Sequence, residues 1–360
     1  MERSNSEKLV RIRDMLKGKP TFRLMEVCGT HTVSIMRSGL RSLLPDNLKL
    51  ISGPGCPVCV TCQGYIDAAI SLTEYPEVVV CTYGDMMRVP GTDTSLADRK
   101  AEGADVRVVY SPRDIIQFAS EEPDKQFIFL AIGFETTIAA TVAAILEAEK
   151  SKLDNFTILS SHKRLIPAMR YLLEDQKSMI DGFLCPGHVS VIIGSDIYKD
   201  IASQYHKPCV VAGFEPEQLI DSIYEAVKML IEHDYGVYNE YQQIVKPKGN
   251  AKALDIIEKI FEPADSAWRA IGTIPMSGYK LRKEYERFDG AVKYNLDIEV
   301  DTPKNGCRCG DVIQGKLTPD QCPLFASKCT PANPFGPCMV SSEGTCAAWY
   351  RFNRGGHDNE

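Results

Sequence analysis

Short apolar runs rich in β-branched residues alternate with helical periodicity through the middle of the chain. Most of these runs end in glycine or a small polar residue, and stripes of apolar side chains predict helices over residues 137–150 and 217–233. This alternation is typical of parallel strands joined by crossover helices. The predicted strands lie at residues 48–52, 78–82, 106–110, 127–132, 156–160, 182–185 and 209–212.

The turn Gly-Phe-Glu occurs at residues 133–135 and again at 213–215, and it joins a predicted strand to a predicted helix both times. Chance is the alternative explanation for so short a motif. We interpret the repeat as two similar α/β domains whose strand ends, where open α/β sheets bind ligands, surround a shared cleft. The predicted fold class is therefore α/β, with two similar parallel-sheet domains around a cleft.

The character of the sequence changes after residue 245. A connector at residues 246–250 leads into a segment rich in proline, glycine and cysteine, and periodicity is nearly absent over residues 302–346. Such a segment needs another source of order, which a bound metal supplies, so we expect a smaller, irregular iron-sulfur domain. The predicted divisions are a segment at 1–45 that carries the Cys28 motif and packs with the C-terminal domain, α/β domain I at 46–150, α/β domain II at 151–250, and the cluster domain at 251–360.

Composition and charge narrow the classes of function. Of the 360 residues 44% are hydrophobic, but no apolar run reaches membrane-spanning length and no signal-peptide stretch follows Met1, so we expect a soluble cytoplasmic protein. The net charge of −7, with acidic and basic residues interspersed, disfavours nucleic-acid binding. In a reducing compartment, thirteen cysteines indicate metal ligation or redox catalysis rather than structural disulfides.

Four cysteines near the C-terminus are candidate metal ligands. Cys309, Cys322, Cys329 and Cys346 are separated by 12, 6 and 16 residues. Zinc ribbons favour close Cys-x-x-Cys knuckles, so this wide spacing favours a [4Fe-4S] cluster, with zinc and buried structural thiols as the alternatives. Cys307 lies two residues from Cys309 and could replace it as a ligand.

A Cys-x-x-Cys pair, Cys56 and Cys59, lies at a predicted strand-to-helix turn within Gly-Pro-Gly-Cys-Pro-Val-Cys-Val-Thr at residues 53–61. Backbone N–H groups at a helix N-terminus stabilise a thiolate, and the two-residue spacing permits a disulfide. We interpret the pair as a redox-active dithiol, with core thiols as the alternative. Cys62 is a small apolar filler in this interpretation, and a resolving partner in the less favoured one.

Cys28 begins the motif Cys-Gly-Thr-His-Thr at residues 28–32, where a predicted strand meets a predicted helix. We expect its thiolate to be exposed and lined by polar groups. His31 could donate to a ligand on a metal bound at Cys28, or move protons near neutral pH. A structural role is the alternative for this histidine.

Three polar turns follow predicted strands and are expected to line the same cleft. Asp85, Glu135 and His188 are their candidates for acid-base catalysis or for orienting a ligand, and helix capping is the alternative role. The sequence contains no Walker phosphate loop, so any nucleotide would bind in another way.

Several motifs in a fixed order are more specific than any one of them. After residues 28–32 and 53–61 come Gly-Asp-Met-Met-Arg-Val-Pro-Gly at 84–91, Gly-Phe-Glu-Thr-Thr at 133–137, Cys-Pro-Gly-His-Val-Ser at 185–190 and the four-cysteine tail. Together they resemble the HypD family of [NiFe]-hydrogenase maturation proteins. The resemblance extends from Phe22 to Tyr350, which is nearly the whole chain.

The resemblance implies a scaffold and redox protein on which the Fe(CN)2CO group of [NiFe]-hydrogenases is assembled. It implies that Cys28 holds the iron together with a HypC-type small chaperone, that a HypE-type protein donates cyanide, and that Cys56 and Cys59 form the redox dithiol. The implied ligands of an electron-relaying [4Fe-4S] cluster are Cys309, Cys322, Cys329 and Cys346. The resemblance assigns no role to Cys62, Cys307 and Cys338.

Two other functions remain open at the level of sequence. A [4Fe-4S]-linked thiol-disulfide reductase would explain the tail and the dithiol, but it leaves the Cys28 motif without a purpose. A zinc-stabilised binding protein would make the N-terminal thiols incidental. If the scaffold interpretation is right, the fold must bring the tail within electron-transfer reach of Cys56 and Cys59.

Overall fold

Parallel strands dominate the described part of the chain. The computed structural model describes residues 2–176, 178–299 and 306–353. Its strands are β1 (Phe22–Glu26), β2 (Leu48–Ser52), β3 (Val78–Thr82), β4 (Val106–Val108), β5 (Gln126–Gly133), β6 (Phe156–His162), β7 (Gly182–Pro186), β8 (Cys209–Ala212), β9 (Val237–Asn239), β10 (Phe261–Trp268) and β11 (Gly272–Leu281).

Helices connect most of these strands. They are α1 (Glu2–Leu16), α2 (Gly29–Arg37), α3 (Leu40–Leu43), α4 (Pro57–Val60), α5 (Gln63–Ser71), α6 (Leu96–Ala101), α7 (Pro112–Glu121), α8 (Glu135–Lys150), α9 (Leu165–Glu174), α10 (Gly187–Ile193), α11 (Lys199–Tyr205), α12 (Pro216–Glu232), α13 (Ala251–Ile260), α14 (Gly290–Lys293), α15 (Cys309–Ile313), α16 (Pro337–Val340) and α17 (Thr345–Phe352). Short 3-10 helices lie at Leu72–Glu74, Gly84–Arg88, Asp196–Tyr198, Lys283–Phe288 and Pro319–Gln321. No described helix is long and apolar enough to cross a bilayer.

The strands form two parallel sheets and one antiparallel hairpin. The five-stranded sheet has the order β2-β1-β7-β8-β9, the four-stranded sheet has the order β4-β3-β5-β6, and β10 pairs with β11. Every pairing in the two larger sheets is parallel. A cysteine-rich region completes the fold, so the predicted class of two parallel-sheet α/β units with an irregular cysteine-rich part is confirmed.

Buried strands form the cores of both units. β5 is buried at every position after Gln126, and β3 is buried throughout. Parallel sheets covered by helices on both faces need apolar side chains on both sides of each strand. That requirement explains why continuous apolar runs predicted these strands to within a few residues.

The sheets divide the chain at different places from the predicted domain boundaries. β1 and β2 pair with each other, and β1 also pairs with β7, so residues 22–52 belong to the sheet that was predicted for domain II. β6 lies in the four-stranded sheet although it follows the predicted boundary at residue 150. Parallel strands pair across long crossover connections, so apolar runs reveal the strands but not their partners.

The hairpin of β10 and β11 was not predicted. We assigned residues 251–360 to an irregular cluster domain, but α13 packs against α8, and β11 packs against α9 and β6. The residues from Ala251 to Leu281 therefore cover the four-stranded sheet. Polar and apolar positions do not alternate regularly along β10, and its pairing with β11 shifts register between Ala264 and Ser266, which explains why periodicity missed it.

The C-terminal tail folds back onto the N-terminal motifs. α17 packs against α2, which follows Cys28, and α16 packs against α4, which carries the Cys-x-x-Cys pair. The buried side chains of Cys56, Cys59 and Cys338 share one apolar core. The fold thus brings the tail back to the dithiol.

Candidate thiol and metal centre

The pairing of β1 with β2 places Cys28 beside the Cys-x-x-Cys turn. Glu26 is in register with Ser52, so the two strands end side by side. Beyond them the backbones stay in contact, because a Cβ atom on Gly55 would lie 2.3 Å from the amide nitrogen of Cys28. Glycine is thus the residue that permits this approach. The next residue along the chain is Cys56.

Cys28 lies at the N-cap of α2 and is half-buried rather than exposed as predicted. Burial raises the pKa of its thiol to about 12. The negative charge of Glu343 raises it further, while the backbone N–H groups of His31 and Thr30 act in the opposite direction. The thiol is therefore protonated at neutral pH.

Cys56 and Cys59 form a disulfide in which the two Cα atoms are 5.2 Å apart. The sulfur of Cys56 also accepts a hydrogen bond of 3.2 Å from the backbone N–H of Cys59, and so caps α4. Both residues are buried. The spacing on one short helical turn therefore permits the disulfide that the sequence indicated.

Asp85 holds the tail in place. Its Oδ2 accepts hydrogen bonds from the hydroxyl of Ser341 at 3.0 Å, and from the amide and hydroxyl of Ser342 at 2.8 and 2.9 Å. A carboxylate that accepts three hydrogen bonds holds the donor groups in fixed positions. Asp85 therefore acts as a structural clamp on the loop before α17, which narrows its predicted role to orientation.

Glu343, the residue after this clamp, covers Cys28. The hydroxyl of Thr30 donates a hydrogen bond of 2.6 Å to its Oε1. The Cβ atom of Glu343 lies so close to Gly29 that a Cβ there would be 2.6 Å away. Sequence reasoning missed this residue because no local pattern links position 343 to position 28.

Glu26 was also missed. It is a fully buried carboxyl whose Oε1 accepts a hydrogen bond of 2.9 Å from Ser52 and lies 3.4 Å from Arg41. Burial raises its pKa, and Arg41 partly offsets that effect. Arg41 in turn lies over the ring of Trp349 in α17, 5.2 Å from its centroid. An acidic residue inside an apolar run, two positions before Cys28, was the available signal.

His31 and His188 flank the ring of Phe214. His188 stacks on Phe214 with ring centroids 3.9 Å apart. The centroid of the His31 ring lies 4.9 Å from that of Phe214, and these two rings are tilted relative to each other. Burial lowers the pKa of His31 to about 4, so this ring is neutral near pH 7. His188 is exposed, and Glu343 is close enough to oppose the lowering of its pKa by partial burial. The arrangement thus brings both predicted histidines to the region of Cys28.

Glu135 faces a different cleft, contrary to the prediction that all three polar turns line one site. That cleft has a volume of about 590 Å³, and its walls include Arg164, Ile193 and Tyr279. The Oε1 of Glu135 accepts a hydrogen bond of 3.0 Å from the amide of Leu165, and burial raises the pKa of its carboxyl to about 7. The local sequence of a turn does not specify which side of the domain its side chains face.

The tail cysteines gather in one region, where four of them form two close pairs and two others lie nearby. Cys307 hydrogen-bonds with Cys309, and this contact lowers the pKa of Cys307 to about 6. Cys338 hydrogen-bonds with Cys346 in the same way. The charges of these groups act on one another, and the set within mutual electrostatic range is Cys307, Cys309, Cys322, Cys329, Cys338 and Cys346.

This donor set is soft and crowded. Among the described residues, no three Cys, His, Asp or Glu side chains are arranged to hold a single metal ion. Thiolate ligands suit zinc and iron-sulfur centres, and a cluster of several iron atoms spreads its four thiolates more widely than one ion does. The chemistry of the set therefore fits an iron-sulfur centre, with more thiols present than four ligands require.

The remaining cysteines lie in the interior. Cys81, Cys185 and Cys209 are fully buried in strands β3, β7 and β8. Cys62 is also buried, and its thiol donates a hydrogen bond of 2.9 Å to the carbonyl of Ile298. It therefore helps to attach the segment that leads into the tail.

Known proteins resemble the chain over nearly its full length. The family model HypD, described as "Hydrogenase formation hypA family", matches residues 4–353. The hydrogenase maturation factor HypD of Escherichia coli strain K12 is 45% identical over 334 residues, which cover 92% of this chain and 90% of that protein. HypD2 of Bradyrhizobium diazoefficiens is 43% identical, with coverage of 95% and 92%, and HypD of Azotobacter vinelandii is 42% identical, with coverage of 93% and 90%. The chain therefore belongs to the HypD family of hydrogenase maturation factors.

Proposed function

We propose that this protein is the scaffold on which the Fe(CN)2CO group of [NiFe]-hydrogenase is assembled, and that it also transfers electrons during assembly. Its partners in this proposal are a HypC-type chaperone, which shares the iron, and a HypE-type protein, which donates cyanide. The proposal places the protein in the cytoplasm, where free thiols stay reduced. One observation carries it: the backbone of Cys28 touches the dithiol turn, and the cysteine-rich tail covers both.

Cys28 would bind the iron substrate. Thiolate is a soft ligand that suits iron carrying cyanide and carbon monoxide. A thiol with a pKa near 12 stays protonated until a cation displaces its proton. Because the thiolate is the reactive form, the protonated thiol would resist oxidation before iron binds. The N-terminus of α2 then stabilises the thiolate that forms.

His188 and Glu343 would shape the entrance to Cys28. His188 is exposed beside Glu343, and in this proposal both side chains would contact the ligand that a partner brings to Cys28. A neutral imidazole can donate one hydrogen bond to a bound ligand, as we proposed for His31. The burial of His31 makes His188 the better donor, because His31 is packed beneath Phe214.

The tail would hold a [4Fe-4S] cluster through Cys309, Cys322, Cys329 and Cys346. Cys307 remains an alternative to Cys309, since the two thiols are in contact. When bound, the cluster would supply one-electron transfer. The apolar core that joins α16 to α4 excludes water between the tail and the dithiol.

The Cys56–Cys59 disulfide would be the two-electron store. Its reduction takes up two electrons and two protons, breaks the S–S bond and forms two thiols. The electrons would come one at a time from a low-potential one-electron donor outside the protein. The reduced dithiol would hold these two electrons beside Cys28, where the iron substrate would bind.

Complementation tests the proposal. A strain that makes [NiFe]-hydrogenase but lacks its own HypD protein receives the wild-type chain or the variants Cys28→Ala, Cys56→Ala and Cys59→Ala. We expect hydrogenase activity from the wild type and none from the three variants. The matched control is Cys81→Ala, a buried thiol in β3, which should stay active. Full activity of Cys28→Ala would favour the thiol-disulfide reductase instead.

A further inference from the structure

Arg269 is a buried guanidinium between the dithiol helix and the tail thiols. It is 1% exposed and ranks among the largest fully buried side chains. Its backbone N–H donates a hydrogen bond of 2.9 Å to the carbonyl of Val60, the last residue of α4. The neighbouring Ala270 touches Gly310 in α15, where an added Cβ would lie 2.4 Å from the Cβ of Ala270. The chain around Arg269 therefore bridges the two redox-capable regions.

The charge of Arg269 is poorly compensated. Its Nη2 donates a hydrogen bond of 2.6 Å to the side-chain carbonyl of Gln63, a neutral group. Its Nη1 is buried and has no hydrogen-bond partner, and Arg269 makes no ion pair within the part of the chain that the structure describes. Arginine stays protonated in proteins, so this side chain cannot reduce the free-energy cost of burying its charge by losing a proton.

An unpaired buried cation is strongly destabilising, so its presence calls for an anion. The tail thiols are the candidates, because Ala270 packs against Gly310, the residue after Cys309, and the positive charge of Arg269 acts on both Cys307 and Cys309. A set of thiolates with bound iron and sulfide carries net negative charge and accepts hydrogen bonds at sulfur. The unused Nη1 donor and the unbalanced charge match such a group.

We propose that Arg269 is the positioning residue that balances the charge of the tail's thiolate centre and sets its reduction potential. This inference rests on the proposed function, since it concerns the same iron-sulfur centre. A nearby positive charge stabilises the more negative, reduced form of a centre and so raises its potential. The backbone link to Val60 fixes the main chain of Arg269 relative to the dithiol helix, and the hydrogen bond to Gln63 fixes its guanidinium. The charge would then lie near both groups that exchange electrons in the proposed function.

We expect Arg269→Met to affect the stability of the iron-free protein and of the iron-loaded protein differently. Methionine keeps much of the length of the side chain but removes the charge. In the iron-free protein, loss of an uncompensated buried charge should leave the melting temperature unchanged or raise it. In the iron-loaded protein, the stabilisation gained on iron binding should shrink, because the balancing charge is gone.

The experiment uses the full chain after anaerobic reconstitution with iron and sulfide. Iron and sulfide content, visible absorbance and the midpoint potential are measured for the wild type, Arg269→Met, Arg269→Lys and the control Arg113→Gln, an exposed arginine on α7. We expect a more negative midpoint for Arg269→Met, a smaller shift for Arg269→Lys, and none for the control. Loss of iron from a folded Arg269→Met protein would also support a charge-balancing role.

An unchanged midpoint in a folded, iron-loaded Arg269→Met protein would overturn the inference and leave the proposed function standing. Failure of the wild type to bind iron and sulfide would overturn both. If Arg269→Met does not fold, Arg269→Gln carries the same comparison, because it also removes the charge and retains polar packing.

Discussion

The hydroxyl of Thr30 donates a hydrogen bond of 2.6 Å to the carboxylate of Glu343, although 313 positions separate the two residues in the sequence. The bond ties the Cys28 motif to the loop between two tail cysteines, Cys338 and Cys346. The same loop is clamped by Asp85. Access to Cys28 is therefore coupled to the docking of the cysteine-rich tail.

Replacing Glu343 should expose Cys28. In Glu343→Ala the carboxylate that accepts the hydrogen bond from Thr30 is lost, and so is the negative charge that raises the pKa of the Cys28 thiol. Reaction with an alkylating reagent follows thiolate content and exposure, so we expect Cys28 to react a few-fold faster. Mass spectrometry of the Cys28 peptide measures the rate. Glu284→Ala, an exposed residue elsewhere, is the control, and equal rates in both variants would contradict the covering role.

Removing the clamp should loosen the tail. Asp85→Ala deletes the acceptor of three hydrogen bonds to Ser341 and Ser342, which should cost about 1–3 kcal/mol of stability. Hydrogen exchange should accelerate in residues 336–344 more than in β5. The exposed Asp93→Asn serves as the control. A tail that exchanges as slowly as in the wild type would show that Asp85 does not hold it.

A methyl group at Gly55 should force the two motifs apart. Its Cβ would lie 2.3 Å from the backbone of Cys28, so Gly55→Ala should lower the free energy of unfolding by roughly 1–3 kcal/mol or more. Gly84→Ala is a matched control, since the nearest atom to its Cβ is 3.8 Å away. Urea denaturation of both variants measures the difference. Equal midpoints would mean that the backbones do not touch at this point.

Glu135 should make stability depend on pH. The pKa of its carboxyl is about 7 in the folded protein against 4.5 for the free side chain, so the folded state retains a proton that the unfolded chain releases in this window. The stability that Glu135 contributes is complete below the pKa of the free side chain. It is lost as the pH rises through the pKa in the folded protein. We expect a loss on the order of 2–3 kcal/mol from acidic to neutral conditions, which Glu135→Gln should abolish.

Urea midpoints of the wild type and Glu135→Gln, compared at about pH 5 and about pH 8, measure this effect. The difference between the two proteins cancels the titration of all other groups. Glu284→Gln, an exposed control, should follow the wild type at both values. A constant difference between the wild type and Glu135→Gln would refute the raised pKa.

Local pattern predicted many of the strands and the pairing of Cys56 with Cys59, but not the long-range contacts. The predicted segments at 48–52, 78–82 and 209–212 coincide with β2, β3 and β8, because continuous apolar runs between turns define buried parallel strands. The pairing of Cys56 with Cys59 was predicted from their two-residue spacing and their position at a strand-to-helix turn flanked by glycine and proline. Glu343 and Arg269 act on thiols far away in sequence, so only the folded chain reveals them.

The position of a motif on its strand did not reveal which way it faces. Asp85, Glu135 and His188 all follow strands, yet Glu135 lines a separate cleft. The four-stranded sheet carries both Asp85 and Glu135 at strand ends, and the helices that follow turn them in different directions. Strand ends predict where side chains gather, whereas the packing of the next helix decides which cavity each one enters.

Infrared spectroscopy shows directly whether Cys28 holds an iron that carries cyanide and carbon monoxide. The wild-type protein is isolated anaerobically with its HypC-type partner from a host that makes [NiFe]-hydrogenase, and its spectrum is compared with those of Cys28→Ser and Cys81→Ala. We expect bands of iron-bound cyanide and carbon monoxide in the wild type and in Cys81→Ala, and none in Cys28→Ser. Their absence from the wild type, or their persistence in Cys28→Ser, would contradict assembly of the iron group at Cys28.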